Sequence, residues 1–426
     1  MNGENRLLSV AVPTLTDQWL QGKSGEMAQL LSGLVQCKSI SGNEPPAVEF
    51  MQQWLADHHW YFSTQTLKDS RAYREGLLPD SEVLDHRANV IAFPWPPEGR
   101  QTLVINGHLD VVPPGDLDKW HRDPFSGDIE DGFIYGRGAV DTKGGIVSAI
   151  FALECLRQSE GTLPFDVAVV LTAGEETTGS GTLASLEAVP NPSAVIVLEP
   201  TGNRAAPVSS GLLFMTIEVA GVSAHTSSPW KGRDAFRQLI EIHSDLVALN
   251  ARRSLDYASD HYAEVPTVIP FVMGVVRAGE WRAAVPSAAT MSGRWGILPG
   301  EDPVLAMELV RDAVAGVDQR NDWPVASVVT VERAIQGWET ADKHPLVTSM
   351  ARSCQEVTPG TTMRGLTAGS DAAFYGAEKI PTVVFGPGDL SLAHSPNERI
   401  SESDLVAGAR IISRTISTLG LARGEW

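Results

Sequence analysis

Two histidines and a set of carboxylates carry the chemistry open to this chain. They are His108 and Asp110 in Gly107-His108-Leu109-Asp110; Asp141, which follows the glycine-rich stretch Tyr135-Gly136-Arg137-Gly138-Ala139-Val140; the adjacent pair Glu175 and Glu176; Glu199, before Pro200; and His394, a short polar loop beyond Gly386-Pro387-Gly388. Imidazole nitrogens and carboxylate oxygens together form a hard-to-borderline donor set that suits zinc, cobalt or manganese. Adjacent carboxylates leave a turn in different directions. One can bind metal while the other holds the proton of a metal-bound water. Each piece alone is weak, because a lone histidine is usually structural and a Glu-Glu pair is usually a solvated face. Their occurrence together, in this order, is far more informative.

These residues need elements to position them. Short apolar runs rich in Val and Ile, at 89–93, 102–106, 167–172, 194–198 and 382–385, read as buried strands of a largely parallel mixed sheet covered on both faces. The run 102–106 leads into His108 and Asp110, 167–172 into Glu175-Glu176, and 194–198 into Glu199. In an open α/β sheet, the carboxyl edge of the strands is where ligands bind. Helical patterns at 46–58 and 145–157 alternate with the strands, so the class is α/β.

From about 211 to 335 the texture changes. A strand at 213–219, a helix at 234–250, strands at 267–276 and 288–297, a helix at 303–318 and a strand at 325–332 follow the β-α-β-β-α-β order of a ferredoxin-like unit. Segments of buried-sheet character return after Pro345. Residues 1–210 and 336–426 are therefore read as one domain and 211–335 as a domain inserted into it. The polar stretch 69–87 reads as a surface excursion.

Composition excludes several classes. The 426 residues carry a net charge of −19, which disfavours nucleic acid or an anionic membrane as partner. Cys37, Cys155 and Cys354 form no CxxC pair, so neither a thiolate metal site nor a disulfide framework is expected, and a reducing compartment fits. The first residues lack the pattern of a signal peptide, and no apolar run approaches the ~20 residues that span a bilayer; a cytoplasmic protein is expected. Gly22-Lys23-Ser24 lacks a P-loop's first glycine, since Asp17 stands there, and Gly136-x-Gly138 lacks the third glycine of a dinucleotide fingerprint. Neither a Gly-x-Ser-x-Gly elbow nor a His-Glu-x-x-His helix is present.

Four motifs spread over nearly the whole chain carry a resemblance. They are Gly107-His108-Leu109-Asp110-Val111-Val112-Pro113, Gly136-Arg137-Gly138-Ala139-Val140-Asp141-Thr142-Lys143-Gly144-Gly145, Glu175-Glu176 and Ala393-His394-Ser395-Pro396-Asn397-Glu398. The chain resembles the metallopeptidase family of acetylornithine deacetylase, succinyl-diaminopimelate desuccinylase, aminoacylase-1 and carboxypeptidase G. The resemblance implies a zinc-hydrolase α/β domain with an inserted ferredoxin-like lid that also dimerises, and two divalent ions, zinc first, with cobalt or manganese as alternatives. His108 and Glu199 would complete one ion's shell, Glu176 and His394 the other's, and Asp141 would bridge them. Asp110 would support His108, and Glu175 would be the general base and acid.

In the lid, Gly221-Val222-Ser223-Ala224-His225-Thr226-Ser227-Ser228-Pro229 looks like the family's histidine motif, with His225 donating to the oxyanion. Relatives with this motif commonly dimerise and supply that histidine from the other subunit. Arg294 would grip a substrate carboxylate, with Gly369 and Ser370 as further substrate contacts. Two departures are Ala283, where many relatives have Asn, and Ala373, where many have Arg. The implied function is removal of an N-acyl group, acetyl or formyl in type, from an amino acid or related small amine. A dipeptidase or carboxypeptidase of the same family is the alternative. A metal-dependent binding protein without turnover is a third reading, against which Glu175 speaks.

Overall fold

A strand that is apolar along most of its length must be covered on both faces, and the two central strands of the computed structural model meet that demand. Residues 15–68, 70–74, 86–159 and 161–421 are described. They form two units: unit 1 joins the residues up to Arg204 to Thr348–Thr361 and to those from Phe385 on, and unit 2 takes Ala205–Val347 and Thr362–Val384.

In unit 1, strands β1 (Tyr61–Thr66), β2 (Ala88–Phe93), β3 (Thr102–His108), β4 (Asp166–Thr172) and β5 (Pro192–Val197) lie side by side in the order β1-β2-β4-β3-β5. β3 runs parallel to both β4 and β5, while β2 pairs antiparallel with β4 and with β1. The expected mixed α/β sheet is thus parallel at its centre and antiparallel at one edge. Every residue of β3 and β4 is buried. β1 is polar beyond Tyr61 and Phe62 and almost wholly exposed, so it carries no alternating apolar signal; pairing with β2 along its whole length holds it. The register sets His108 opposite Thr172, which brings the Asp110 loop and the Glu175-Glu176 turn out at the same level.

Helices α1 (Ser24–Gln36), α2 (Pro45–Asp57) and α3 (Gly144–Ser159) belong to this unit. α3 is buried nearly all round and lies against β3 without room for a side chain between them. A Cβ on Gly107 would stand 2.8 Å from Ile146 Cγ1 and 3.1 Å from Leu198 Cδ1.

Unit 2 contains β6 (Gly211–Ala220), α4 (Ala235–Asp256), β7 (Val272–Ala278), β8 (Ala288–Ile297), α5 (Pro303–Arg320) and β9 (Val328–Ile335). The strands pair antiparallel in the order β7-β8-β6-β9, the ferredoxin-like arrangement. Met215, Ile217, Val219, Met291 and Trp295 form the covered face, packed with Leu239, Ile242 and Leu246 of α4 and Val310, Val314 and Val317 of α5. Both helices start on a capping aspartate. Asp234 accepts the N–H of Phe236 and Arg237, and Asp302, followed by Pro303, accepts that of Val304.

Two strand starts lie later than the apolar pattern implies, because side chains claim the backbone first. Asn250 Nδ2 donates to Ile269 O and Ser254 Oγ accepts Val268 N–H, so β7 begins only at Val272. Asp318 accepts the N–H and hydroxyl of Ser327, and β9 begins at Val328. Short strands Val208–Ser209, Trp338–Glu339 and Gly365–Leu366 also belong to unit 2, which therefore extends past 211–335 on both sides. Most of the polar excursion, 75–85, and the first 14 residues lie outside the described residues. Among the described residues no helix is long and apolar enough to cross a membrane.

The tight fit of α3 on β3 gives a direct test. Gly107→Ala must push Ile146 aside, and overpacking of this kind costs about 1–3 kcal/mol. The urea midpoint should fall accordingly; an unchanged midpoint would show that α3 has room to give.

Candidate metal centre

His108 is the last residue of β3 and is buried. Its Nδ1–H donates to the backbone carbonyl of Asp110 at 2.8 Å. A carbonyl can only accept, so the neutral ring carries its proton on Nδ1 and its lone pair on Nε2, the atom that would bind a cation. The Asp110 carboxylate stands farther off, 3.8 Å from Nδ1, and has another task. Its Oδ1 accepts the N–H of Gly174 at 2.9 Å and of Glu175 at 3.1 Å; its Oδ2 accepts the Ser41 hydroxyl at 2.6 Å and the Glu176 N–H at 3.3 Å. Four donors match what an ionised carboxylate can accept. Asp110 therefore holds the Glu175-Glu176 turn, and its backbone, rather than its carboxylate, orients His108.

The turn is also fixed from the Gly174 side. Gly174 has φ +80°, and a Cβ there would stand 2.4 Å from Arg87 Nη2. Arg87 is itself locked in a buried two-point pair with Glu44, at 2.7 and 3.2 Å.

Asp141 stands between the two imidazoles. Its Oδ1 is 3.1 Å from His108 Nε2 and its Oδ2 is 3.3 Å from His394 Nε2, which also lies 3.0 Å from Glu176. Among the described residues, two groups have donor atoms mutually within 4.8 Å: His108, Asp141 and Glu199; and Asp141, Glu176 and His394. Asp141 belongs to both. Thr142 Oγ1 donates to Leu198 O at 2.7 Å, tying the Asp141 turn to the residue before Glu199.

Charge explains what such a cluster wants. Burial raises the Glu199 carboxyl, and the neighbouring Asp141, Glu175 and Glu176 raise it further. Burial opposes ionisation of Asp141 as well, but hydrogen bonds from His108 and His394 win and hold it well below the usual carboxylate range. His108 would be pulled down by burial, yet the bond to Asp141 and the surrounding acids keep it well above its ordinary value. Bonds to Asp141 and Glu176 push His394 up to about 10. The carboxylates outnumber the imidazoles, so divalent cations would relieve the repulsion far better than two imidazolium ions can.

Comparison with known proteins decides the family. The profile of peptidase family M20/M25/M40 matches residues 104–418. The chain belongs to this family. A probable succinyl-diaminopimelate desuccinylase of Staphylococcus aureus (strain MSSA476) is 24% identical over 400 residues, covering 88% of this chain and 93% of that protein. An acetylornithine deacetylase of Pectobacterium atrosepticum is 29% identical over 323 residues, covering 75% and 80%. The solved structure of a dinuclear metal-binding peptidase of the family from Bacillus subtilis superposes with a TM-score of 0.65 at 16% identity, over 94% of this chain and 99% of the other.

This M20 chain is accordingly a metal-dependent hydrolase of amide bonds. All seven residues from His108 to His394 described above lie in unit 1. The other expected site residues of the M20 chain lie in unit 2. His225 is on the exposed loop after β6, where its Nδ1 accepts the Ser227 N–H at 3.1 Å. Arg294, on β8, is partly buried; its Nη2 donates to Thr367 O, while its Nε has no partner among the described residues. Gly369 packs against Ile335, and the buried Ser370 Oγ likewise finds no partner among the described residues.

Supporting residues of unit 1 escaped the sequence reading. Ser41, the partner of Asp110, sits in a loop without a motif. Lys143 is buried and donates to Leu34 O and Cys37 O at the end of α1, and burial brings it down to about 8. Lys143, Arg137 and Glu398 lie within the quoted motifs, but contacts to backbone groups, as of Lys143 and Glu398, or to a side chain far along the chain, as of Arg137, leave no spacing signal of their own. The role of Asp110 has a measurable consequence. Asn in its place offers one acceptor oxygen and one NH2, which must face either the Gly174–Glu175 amides or Ser41 and the Glu176 amide. Asp110→Asn should lower kcat by about 10- to 100-fold, the usual scale for a partner that orients a metal site. Wild-type kcat in that variant would remove Asp110 from the machinery.

Proposed function

We propose that the protein hydrolyses the amide between an acyl group, acetyl or formyl in type, and the nitrogen of an amino acid or related small amine. The observation that carries this reading is the position of Asp141 between two donor groups, with Glu175 near enough for its charge to act on both His108 and Glu199. His108 and Glu199 would hold one ion, Glu176 and His394 the other, and Asp141 both; zinc suits the donors best, with cobalt or manganese as alternatives. Ions bound there supply Lewis acidity, lowering the pKa of a water and polarising the acyl carbonyl.

Glu175 takes the proton of that water as its oxygen attacks the carbonyl carbon, then delivers the proton to the leaving nitrogen as the C–N bond breaks. The products are a carboxylic acid and a free amine. His225 is suited to stabilise the oxyanion. Because its Nδ1 accepts the Ser227 N–H, the proton of the neutral ring sits on Nε2, which is therefore a donor. Arg294, whose Nε has no partner among the described residues, would hold a carboxylate on the substrate, aided by Gly369 and Ser370. The free thiols Cys37, Cys155 and Cys354 accord with a reducing cytoplasm.

The test begins with metal. Chelation should abolish hydrolysis and zinc or cobalt should restore it. Glu175→Gln should keep its metal while kcat falls by about 10²-fold or more; metal loss instead would exchange the roles of Glu175 and Glu176. A substrate panel then separates the readings. Acetyl- and formyl-amino acids should be cut faster than dipeptides, and free acids faster than their carboxamides. Preference for dipeptides would establish the peptidase alternative, and indifference to the carboxylate would remove Arg294 from the site.

We further infer a homodimer through unit 2, with His225 supplied to the active site by the other protomer. In support, β7 is an edge strand with Val272, Val275 and Val276 exposed, a liability that pairing with a second copy removes. Glu175→Ala and His225→Ala should each be inactive alone. Activity should return when their subunits exchange, because mixed dimers hold one complete site. Confirmed exchange without recovery would mean that His225 acts within its own chain or plays no catalytic part.

A further inference from the structure

Glu398 ends the segment that begins with His394, and neither candidate ligand group contains it. Its side chain is fully buried. One oxygen, Oε2, accepts from Arg137 Nη1 at 2.6 Å; the other, Oε1, accepts the backbone N–H of Val140 at 3.0 Å and of Asp141 at 3.3 Å. Arg137 is equally buried, with Trp120 alongside its guanidinium at 5.3 Å from the ring centroid.

A buried ion pair is a poor device for stability alone, since desolvating two charges offsets most of their attraction and a packed apolar pair serves as well. What an apolar pair cannot do is accept two amide protons. We propose that Glu398 is a positioning residue for Asp141. It grips the amides on the amino side of that side chain, as Thr142 fixes the turn on the other side through Leu198 O, and so keeps one Asp141 oxygen aimed at each imidazole. Arg137 holds the Glu398 carboxylate in place for this. The inference rests on the metal-centre reading above. It adds a specific consequence: Glu176 and Glu199 each belong to one group, but Asp141 belongs to both, so loss of the Glu398 grip weakens both metal sites together. The last motif thus serves the centre twice, through His394 directly and through Glu398 by way of the backbone.

The experiment titrates metal-free protein with Co2+, followed by its visible absorption, beside a thermal melt of each variant. R137M/E398M replaces the buried pair by apolar groups and leaves the two amides without an acceptor. R137M/E398Q also removes both charges but keeps an acceptor oxygen. Glu398→Asp keeps the charge beside Arg137 but is too short to span its partners. R137M/E398M and Glu398→Asp should weaken Co2+ at both sites by about 10- to 100-fold, and R137M/E398Q should recover most of that loss. If R137M/E398M fails to fold, Glu398→Asp carries the test. Tight, wild-type-like binding of two Co2+ by Glu398→Asp, or by a folded R137M/E398M, overturns the proposal. Equal weakening in both double variants overturns it too, since the acceptor oxygen would then be irrelevant. Wild-type protein that takes up no Co2+ sinks the metal-centre reading itself, and the proposal with it.

Discussion

Mutual repulsion among the carboxylates of one strand edge is the constraint on which the rest of this structure depends. Asp141, Glu175 and Glu176 all oppose the ionisation of Glu199, and an unconstrained chain would let the four separate. Each is therefore held through its backbone. Asp110 takes the amides of Glu175 and Glu176, Glu398 takes that of Asp141, and Phe385 O takes the Glu199 N–H at 3.4 Å. Carboxylates accepting backbone N–H groups thus position other carboxylates. The arrangement keeps the donor atoms of Asp141, Glu176 and Glu199 within the two candidate groups.

The scaffold beneath follows from that requirement. Parallel pairing of β3 with both β4 and β5 makes three strands end at one edge, and the register brings His108 level with the start of the Glu175 turn. Such strands must be buried on both faces, which explains the largely apolar, wholly buried β3 and β4 and the nearly all-buried α3. Rigidity is then supplied where the chain turns: the Arg87–Glu44 pair behind Gly174, and Lys143 at the end of α1, are buried charges whose partners are fixed groups of the same unit.

Much of this was legible in the sequence, for physical reasons that differ from residue to residue. The α/β class and the ferredoxin-like order showed in runs whose periodicity reflects burial on one face or two. The residues that converge were legible because their types are costly to bury without purpose and because they follow strand ends. β1 was not legible, since an exposed edge strand needs no apolar pattern. The starts of β7 and β9 were displaced by Asn250, Ser254 and Asp318, whose contacts depend on tertiary structure. The task of the Asp110 carboxylate was not legible either, nor the existence of Ser41 as its partner. Both act on backbone amides or on one another across 69 residues of chain, and no side-chain type marks the receiving end.

The candidate ligand set also runs across the chain in a particular order: His108, Asp141, Glu176 and Glu199 precede unit 2, and His394 follows it. Domains form progressively during synthesis, from the amino terminus. The ribosome therefore delivers four of these candidate donors, then the whole insert, before the one that completes the second group. A nascent chain halted anywhere before His394 holds crowded acids with an incomplete set of partners. Assembly of the candidate centre thereby waits until the chain has returned from the insert to unit 1.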